Sequence, residues 1–189
     1  GPPINTSSWE SQPSISSNGK FLFFSSNRNG SLGGKDLWMS ERKPDGSWGE
    51  PVNLGPKINT AASDQSPFIH PDNQTLYFMS NGHPGLGGHD LYFSKRQADG
   101  SWSEPQNLGY PINTKANEGA LIVSLDGTTG YFATDQKDPA NPEDSSFEGI
   151  SGNKTTDIFF FELYPEARPA PVTYVRARVF DAITKLPLV

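Results

Sequence analysis

The chain has 189 residues and a formal net charge of −6, with acidic and basic residues interspersed. This charge balance argues against a nucleic-acid partner, because nucleic-acid recognition requires a basic patch or stripe. The chain has no Cys, which excludes disulfides and thiolate metal sites. No stretch approaches the roughly 20 consecutive apolar residues of a membrane helix, so no direct membrane span is predicted.

An internal repeat organises most of the chain. Residues 10–60 are matched position by position by residues 64–114, at a constant shift of 54 residues. A third copy opens at Glu118 with EGALIVSLDGTTGYFATD. Ile4–Thr6 repeats the INT that ends the first two copies, so residues 1–6 are predicted to be the tail of a preceding repeat.

Each copy predicts four short strands. Asn-Gly and Asp-Gly pairs between the apolar runs are strong hairpin signals, since both residues tolerate positive φ. The predicted strands of the first copy are Gln12–Ser16, Lys20–Ser25, Asp36–Glu41 and a fourth that follows Trp48 and fades at Asn53–Gly55, and the second strand recurs as Thr75–Ser80 and Gly130–Thr134.

The second and third strands are apolar on consecutive residues, as in FLFF and DLYF. A strand of this kind must be covered on both faces, which favours a radial stack of sheets over a two-sheet sandwich. The predicted fold is therefore all-β: a β-propeller of four-stranded blades, with three repeats of 54 residues. We expect these blades to belong to a larger ring of about six blades. Two three-bladed chains that pair into one ring are the alternative.

The third copy departs from the pattern, because it carries an insertion and has no DGxW segment for a fourth strand. A Pro/Ala-rich stretch and a new strand-like pattern follow it. The predicted divisions are 1–6, the tail of a preceding blade; 7–60 and 61–114, two blades; 115–164, a final blade with an inserted loop at 136–156; 165–171, a Pro-rich linker; and 172–189, the start of a further domain.

Short motifs of the repeat match those of a known family. They lie at Pro13–Gly19 and, more loosely, Pro67–Asn73, and at Leu76–Asn81, Gly33–Trp38, Gly87–Tyr92, Asp45–Pro51 and Asp99–Pro105. In these segments the repeat resembles the PD40 family, the WD40-like β-propeller repeat also found in TolB. The variant resembles that of OmpA-family envelope proteins of Bacteroidota, and residues 172–189 resemble the opening of the carboxypeptidase-regulatory-like β-sandwich that follows the propeller in those proteins.

The resemblance implies a periplasmic, outer-membrane-associated scaffold that binds envelope proteins or peptides, with peptidoglycan held by a domain outside this chain. One branch of the family, PorE-like, belongs to the type 9 secretion and gliding machinery. The predicted function is a non-catalytic protein-binding module. A glycan-binding module is the alternative, and a hydrolase is the third hypothesis, although the chain has no G-x-S-x-G elbow. No cofactor and no catalytic residue are predicted.

One acidic position follows the Gly-rich loop of each copy, and it is occupied by Asp36, Asp90 and Asp157. A carboxylate beside flexible glycines could help to bind a hard cation such as Ca²⁺, which takes 6–8 oxygen ligands. A residue that recurs once per blade is more simply explained as a cap of backbone N–H groups. We therefore predict capping at this position and no metal site.

A second acidic position opens each copy, at Glu10, Asp64 and Glu118. These carboxylates could ring the mouth of the central channel and bind cations or basic peptide, or they could cap the linkers between blades. The sequence leaves both alternatives open, because burial decides between them.

The insertion is the first candidate for partner contact, since irregular loops on rigid scaffolds tend to carry recognition. Its candidate residues are Asp138, Asn141, Glu143, Asp144, Phe147 and Glu148.

Aromatic and histidine side chains supply the remaining candidates. Trp48 and Trp102 could stack on sugars, but their fixed place after a DG turn favours packing of the fourth strand. His70, His83 and His89 align with Ser16, Asn29 and Lys35 of the first copy, which are surface residue types, so surface positions and no zinc site are predicted.

Overall fold

The computed structural model describes residues 1–135 and 156–173. Strands built from the apolar runs dominate this part of the chain, and one short 3₁₀ helix, Pro165–Ala167, follows them. The strands are β1 (Glu10–Ile15), β2 (Phe21–Ser26), β3 (Asp36–Glu41), β4 (Val52–Asn53), β5 (Asp64–Ile69), β6 (Thr75–Ser80), β7 (Asp90–Lys95), β8 (Gln106–Asn107), β9 (Glu118–Val123), β10 (Thr129–Thr134) and β11 (Asp157–Glu162).

These strands form three antiparallel sheets, one for each repeat. Two sheets have four strands, in the orders β1-β2-β3-β4 and β5-β6-β7-β8, and the third has the order β9-β10-β11. The predicted four-stranded repeat is thereby confirmed, and the third sheet has no fourth strand among the described residues. The fourth strands are only two residues long, and before each of them Trp48 or Trp102 joins the sheet through an isolated bridge, to Arg42 and Arg96 respectively.

The first strand of every blade contains the same irregularity. The pairing register of β1, β5 and β9 shifts in mid-strand, and at the shift Gln12, Ser66 and Ala120 have φ values of 56°, 51° and 50°. Such a bulge bends the strand and interrupts its pairing. The first strands of adjacent blades lie side by side, and Gln12 Oε1 accepts a hydrogen bond from the Ser66 backbone N–H at 3.0 Å.

Stacking of the sheets explains why the middle strands are apolar on both faces. Phe78 and Tyr92 face the first blade, whose Phe23 meets Trp102 edge-on at 6.0 Å. The alternate residues, such as Tyr77, face the third blade. Each interface between blades is thus a separate hydrophobic core.

The outer face of the third sheet keeps the same apolar pattern. Ile158 and Phe160 are 80% and 75% exposed, whereas Leu91 and Phe93, at the corresponding positions of the second blade, are 0% and 2% exposed. The difference arises because Leu91 and Phe93 pack against the next blade in the described structure.

The segment 165–171, which the sequence separates from the blades as a linker, packs against them. Leu163 and Ala167 are fully buried members of the core between the second and third blades. The Ala170 N–H donates to Asp72 Oδ2 at 3.0 Å, and the Val172 N–H donates to the Leu125 carbonyl at 3.1 Å. We call residues 163–172 the strap. The further domain predicted from residue 172 onward lies outside the described residues except for 172 and 173.

No helix within residues 1–135 and 156–173 has the length and apolar character needed to cross a membrane.

Candidate functional site

Residues that recur at the same position of each repeat hold the blade together. The side-chain amide of Asn59, from the INT segment, donates to the Leu37 carbonyl at 2.9 Å and accepts from the Leu37 N–H at 2.8 Å. Asn113 does the same to Leu91, at 2.8 Å in both directions. These amides replace a strand partner for the third strand, so INT is an architectural motif.

The Gly-rich loop is equally architectural. A Cβ atom on Gly33 would lie 2.2 Å from the Ala62 carbonyl oxygen, and one on Gly87 would lie 2.3 Å from the Thr114 carbonyl oxygen. Only glycine allows this approach of the loop to the linker between blades. The Gly34 N–H donates to that same Ala62 carbonyl at 2.6 Å.

The aspartate after this loop caps it. Asp36 is buried and accepts from the backbone N–H groups of Leu32 and Gly33, at 2.7 and 3.2 Å, and from the Asn53 amide at 2.6 Å. Asp90 is buried in the same way, whereas Asp157 is exposed. Across the described ranges, no group of three or more His, Cys, Asp or Glu residues could hold a metal ion.

In every blade, the acidic residue that opens the repeat lies close to the aspartate that follows the Gly-rich loop. Asp64 pairs with Ser80 across β5 and β6, and Ser80 pairs with Asp90 across β6 and β7. An acid, a hydroxyl and an aspartate therefore lie side by side at one end of the sheet. The corresponding rows are Glu10, Ser26 and Asp36 in the first blade, and Glu118, Thr134 and Asp157 in the third.

The first acid of each row bonds to the linker that precedes it. Asp64 Oδ2 accepts from the N–H and hydroxyl of Thr60, at 2.6 and 2.9 Å. Glu118 Oε1 accepts from the Thr114 hydroxyl at 2.6 Å. Glu10 accepts from the Thr6 hydroxyl and is 3.3 Å from Arg28 Nη2. Of the two alternatives that the sequence left open, the linker contact is thus the one visible in the geometry.

Burial perturbs two of these acids. It raises the pKa of Asp64 and of Glu118, although hydrogen bonds from Ser80 and Thr60 oppose the shift at Asp64, and from Thr114 at Glu118. One oxygen of each carboxyl, Asp64 Oδ1 and Glu118 Oε2, is buried without a hydrogen-bond partner. Asp90 Oδ1 is the third such carboxyl oxygen in the described part of the chain.

The aromatic and histidine candidates pack against other residues of the blades. Trp102 is 8% exposed and packs on Phe23, which leaves no open ring face for a sugar. The prediction of a surface position is wrong for His70, which is fully buried between blades, with Nε2 3.0 Å from the Ser124 carbonyl oxygen. His83 is half-buried and lies against Tyr92, with ring centroids 5.3 Å apart. The insertion candidates at 138–148 lie outside the described residues.

A cleft of about 270 Å³ opens where the first strands of the three blades meet. Its walls combine the three bulge positions with the start of β9. Asp135, which precedes the predicted insertion at 136–156, and Thr156, its last residue, also line the cleft. Sequence reasoning named only Glu118 and His89 among its residues. The lining residues are Gln12, Ser66, Met79, His89, Asn117, Glu118, Gly119, Ala120, Ala133, Asp135 and Thr156.

One sequence signal for this cleft was available. Gly119 stands where the second repeat has Gln65, in otherwise aligned segments. A glycine at a position where another repeat has a long side chain indicates a local difference in packing. The residues around that position can be identified only from the structure.

Comparison with protein-family models gives no match, and neither does comparison with curated proteins. Solved structures are similar. A TolB structure from Agrobacterium tumefaciens matches with a TM-score of 0.49 at 16% identity, over 69% of this chain and 39% of that one. TolB from Acinetobacter baumannii matches with a TM-score of 0.51 at 13% identity, over 89% of this chain and 34% of that one.

The chain thus spans little more than a third of the length of these TolB structures. At such low identity the likeness concerns the fold alone. Together with the three repeated sheets and their face-to-face stacking, the match to the Acinetobacter protein identifies the chain as having the TolB-like β-propeller fold.

Proposed function

We propose that this chain is a non-catalytic, protein-binding scaffold module that holds a segment of an envelope protein or peptide in the cleft between its blades. The observation that carries the proposal is the cleft itself. Its walls mix an apolar side chain, Met79, with the carboxyls of Glu118 and Asp135. A concave site that offers both apolar surface and placed polar groups can hold and orient a bound segment.

His70 and His83 have structural roles between and within the blades. The Nδ1 atom of His70 accepts from the Asp72 N–H at 3.1 Å, and its Nε2 is bonded to a carbonyl of the next blade. His83 Nε2 lies 2.9 Å from the Ile58 carbonyl oxygen. Both rings are thus engaged with backbone groups, as expected for side chains that stabilise blades.

The residues at the two ends of the predicted insertion support it as a second contact with the partner. Asp135 precedes the insertion, Thr156 is its last residue, and both line the cleft. We propose that Asp138, Asn141, Glu143, Asp144, Phe147 and Glu148 contact the partner.

The setting of this module is part of the proposal. The TolB-like fold and the resemblance to OmpA-family envelope proteins of Bacteroidota support a periplasmic, outer-membrane-associated protein, with about six blades in all. We propose that a domain outside this chain anchors it to peptidoglycan. A role in the type 9 secretion or gliding machinery, as in PorE-like proteins, follows from the same resemblance.

Capture of envelope proteins from a periplasmic extract tests the function. The chain is compared with a variant in which Gly119 is replaced by Gln, which should fill the cleft, and with a deletion of residues 138–154. Specific proteins retained by the chain and reduced by both changes are the expected result. Saturable binding of peptidoglycan or glycans by this chain, with no protein retained in a cleft-dependent way, would favour the glycan-binding alternative.

A further inference from the structure

The repeat supplies an internal comparison for the cleft. At the junction of the first and second blades, the corresponding space is filled by the side chain of Gln65, which is buried. Gln65 Oε1 accepts a hydrogen bond from Lys35 Nζ at 3.1 Å, and its Nε2 lies 3.4 Å from His89 Nε2. This first junction therefore contains an amide and an ammonium group.

Among the described residues, the second junction has neither group at the corresponding positions. Gly119 stands at the position of Gln65, and His89 stands at the position of Lys35. Met79 takes the place of Ser25, and a Cβ atom on Gly119 would lie 2.8 Å from the Met79 sulfur. The methionine sulfur therefore lies where a side chain at position 119 would begin, and both residues line the cleft.

Two carboxyl groups line the cleft. Glu118 is 1% exposed, lines the cleft and has one oxygen, Oε2, without a hydrogen-bond partner. Asp135 also lines the cleft, where it accepts from the Asn117 N–H at 2.7 Å. A buried carboxyl oxygen without a donor costs free energy, which a cationic donor would recover.

The volume limits what can enter. About 270 Å³ is below the roughly 300–1,000 Å³ of sites for drug-sized molecules. The space suits one extended side chain whose methylenes contact Met79 and Ala120 and whose donor reaches Glu118. Among amino acids, lysine combines a compact triple donor with an apolar stem.

We infer that the cleft binds the primary ammonium group of a lysine side chain presented by the partner polypeptide, which takes the place that Lys35 and Gln65 fill one blade earlier. This inference rests on the proposed function and names the chemistry of its ligand. The ammonium group donates to Glu118 Oε2, and the Lys methylenes cover Met79.

Binding of short peptides to the full chain tests the inference. The probes are an acetylated, amidated pentapeptide with one central lysine, the same peptide with norleucine, and free glucosamine as another source of a primary amine. Titration of the ¹⁵N-labelled chain at pH 7 should shift the amide signals of Asn117, Gly119 and Ala120 with the lysine peptide. Binding of the norleucine peptide should be at least about tenfold weaker, since a charge-assisted hydrogen bond is lost.

Three variants locate the effect. Glu118→Gln should weaken lysine binding by about tenfold or more. Gly119→Gln should abolish binding, and Met79→Ser/Gly119→Gln, which reproduces the Ser25 and Gln65 of the preceding blade, should do the same with less crowding. Glu104→Gln, at a distant exposed carboxylate, controls for total charge and should bind as the parent chain does.

The inference would be overturned if the norleucine peptide or glucosamine bound as tightly as the lysine peptide. It would also be overturned if the lysine peptide bound unchanged to Glu118→Gln, or to both Gly119→Gln and Met79→Ser/Gly119→Gln. Envelope proteins captured in a cleft-dependent way despite that result would leave the proposed function standing. Lysine peptide bound as expected, with no protein captured, would instead leave the ammonium site and remove the scaffold proposal.

Discussion

The hydroxyl of Tyr77 donates a hydrogen bond of 2.6 Å to the backbone carbonyl of Ala167, a residue 90 positions further along the chain. At the preceding junction the corresponding Phe23 meets the ring of Trp102 instead. The third blade has no tryptophan at that position, and the strap supplies Leu163 and Ala167 in its place. The hydroxyl of Tyr77 thus bonds to the Ala167 carbonyl at the junction where the strap replaces the tryptophan ring.

Replacement of Tyr77 by Phe should therefore destabilise the chain. The Ala167 carbonyl would lose its buried donor, at a cost of about 1–3 kcal/mol in the free energy of unfolding. Urea unfolding followed by fluorescence measures the change. Tyr164→Phe, which removes a longer bond of 3.4 Å to the Asn107 carbonyl, is the matched control and should cost less. Equal stability of Tyr77→Phe and the parent chain would mean that the strap is not held by this bond.

Corresponding positions of the second and third blades should respond differently to truncation. Phe93→Ala removes a ring that is 2% exposed, in the core between blades, and should cost about 3–5 kcal/mol. Phe160→Ala, at the corresponding position of the third blade, removes a ring that is 75% exposed and should change stability by less than about 0.5 kcal/mol. Thermal unfolding of the two variants provides the comparison, and a large loss in Phe160→Ala would show that this face is covered in solution.

Asp72 should make stability depend on acid pH. Burial alone would raise its pKa, but the nearby His70 and hydrogen bonds from Gln74 and Thr75 lower it to about 2. Since the folded pKa is below the ordinary value of 3.8, the stabilisation is present above about pH 4 and is lost as the pH falls through about 2. Asp72→Asn should cost about 1–2 kcal/mol at pH 7, allowing for partial screening by water. Unfolding curves of both chains should converge near pH 2, and a gap that persists there would exclude the carboxylate as its source.

Asp64 should have the opposite effect. Burial raises its pKa above 3.8, so the folded chain holds this proton to higher pH than the unfolded chain does. Stability is then lost as the pH rises from about 4 through the raised pKa of Asp64. Asp64→Asn, which keeps an oxygen for Thr60, should remove this decline. Parallel pH profiles of the variant and the parent chain between pH 4 and 7 would contradict the prediction.

The repeat made much of the fold predictable. Apolar runs and Gly-containing turns located Asp36–Glu41 and Thr75–Ser80 with the bounds that the structure has. The strands predicted at Lys20–Ser25 and Gly130–Thr134 are Phe21–Ser26 and Thr129–Thr134, which differ by one residue. The first strand begins at Glu10, two residues before the prediction, because its bulge at Gln12 interrupts the alternation on which a sequence pattern depends.

The packing between blades was less predictable. His70 aligns with Ser16, a small residue, so nothing in the alignment of the repeats indicates that its ring is buried against the next blade. The strap has the Pro- and Ala-rich composition of a linker, and these small side chains each bury little area. Its attachment depends on backbone groups such as the Ala167 carbonyl, which carry no sequence signal.

Gly119 has a consequence for how recognition arises in duplicated architectures. The cleft lies where the third repeat carries Gly119 in place of Gln65, and Met79 and His89 around it differ from Ser25 and Lys35 of the first repeat. A ring built from near-identical units needs only a few such substitutions to make one of its junctions differ from the others. Exchange of single residues between repeats could then move a binding site around the ring without altering the framework that supports it.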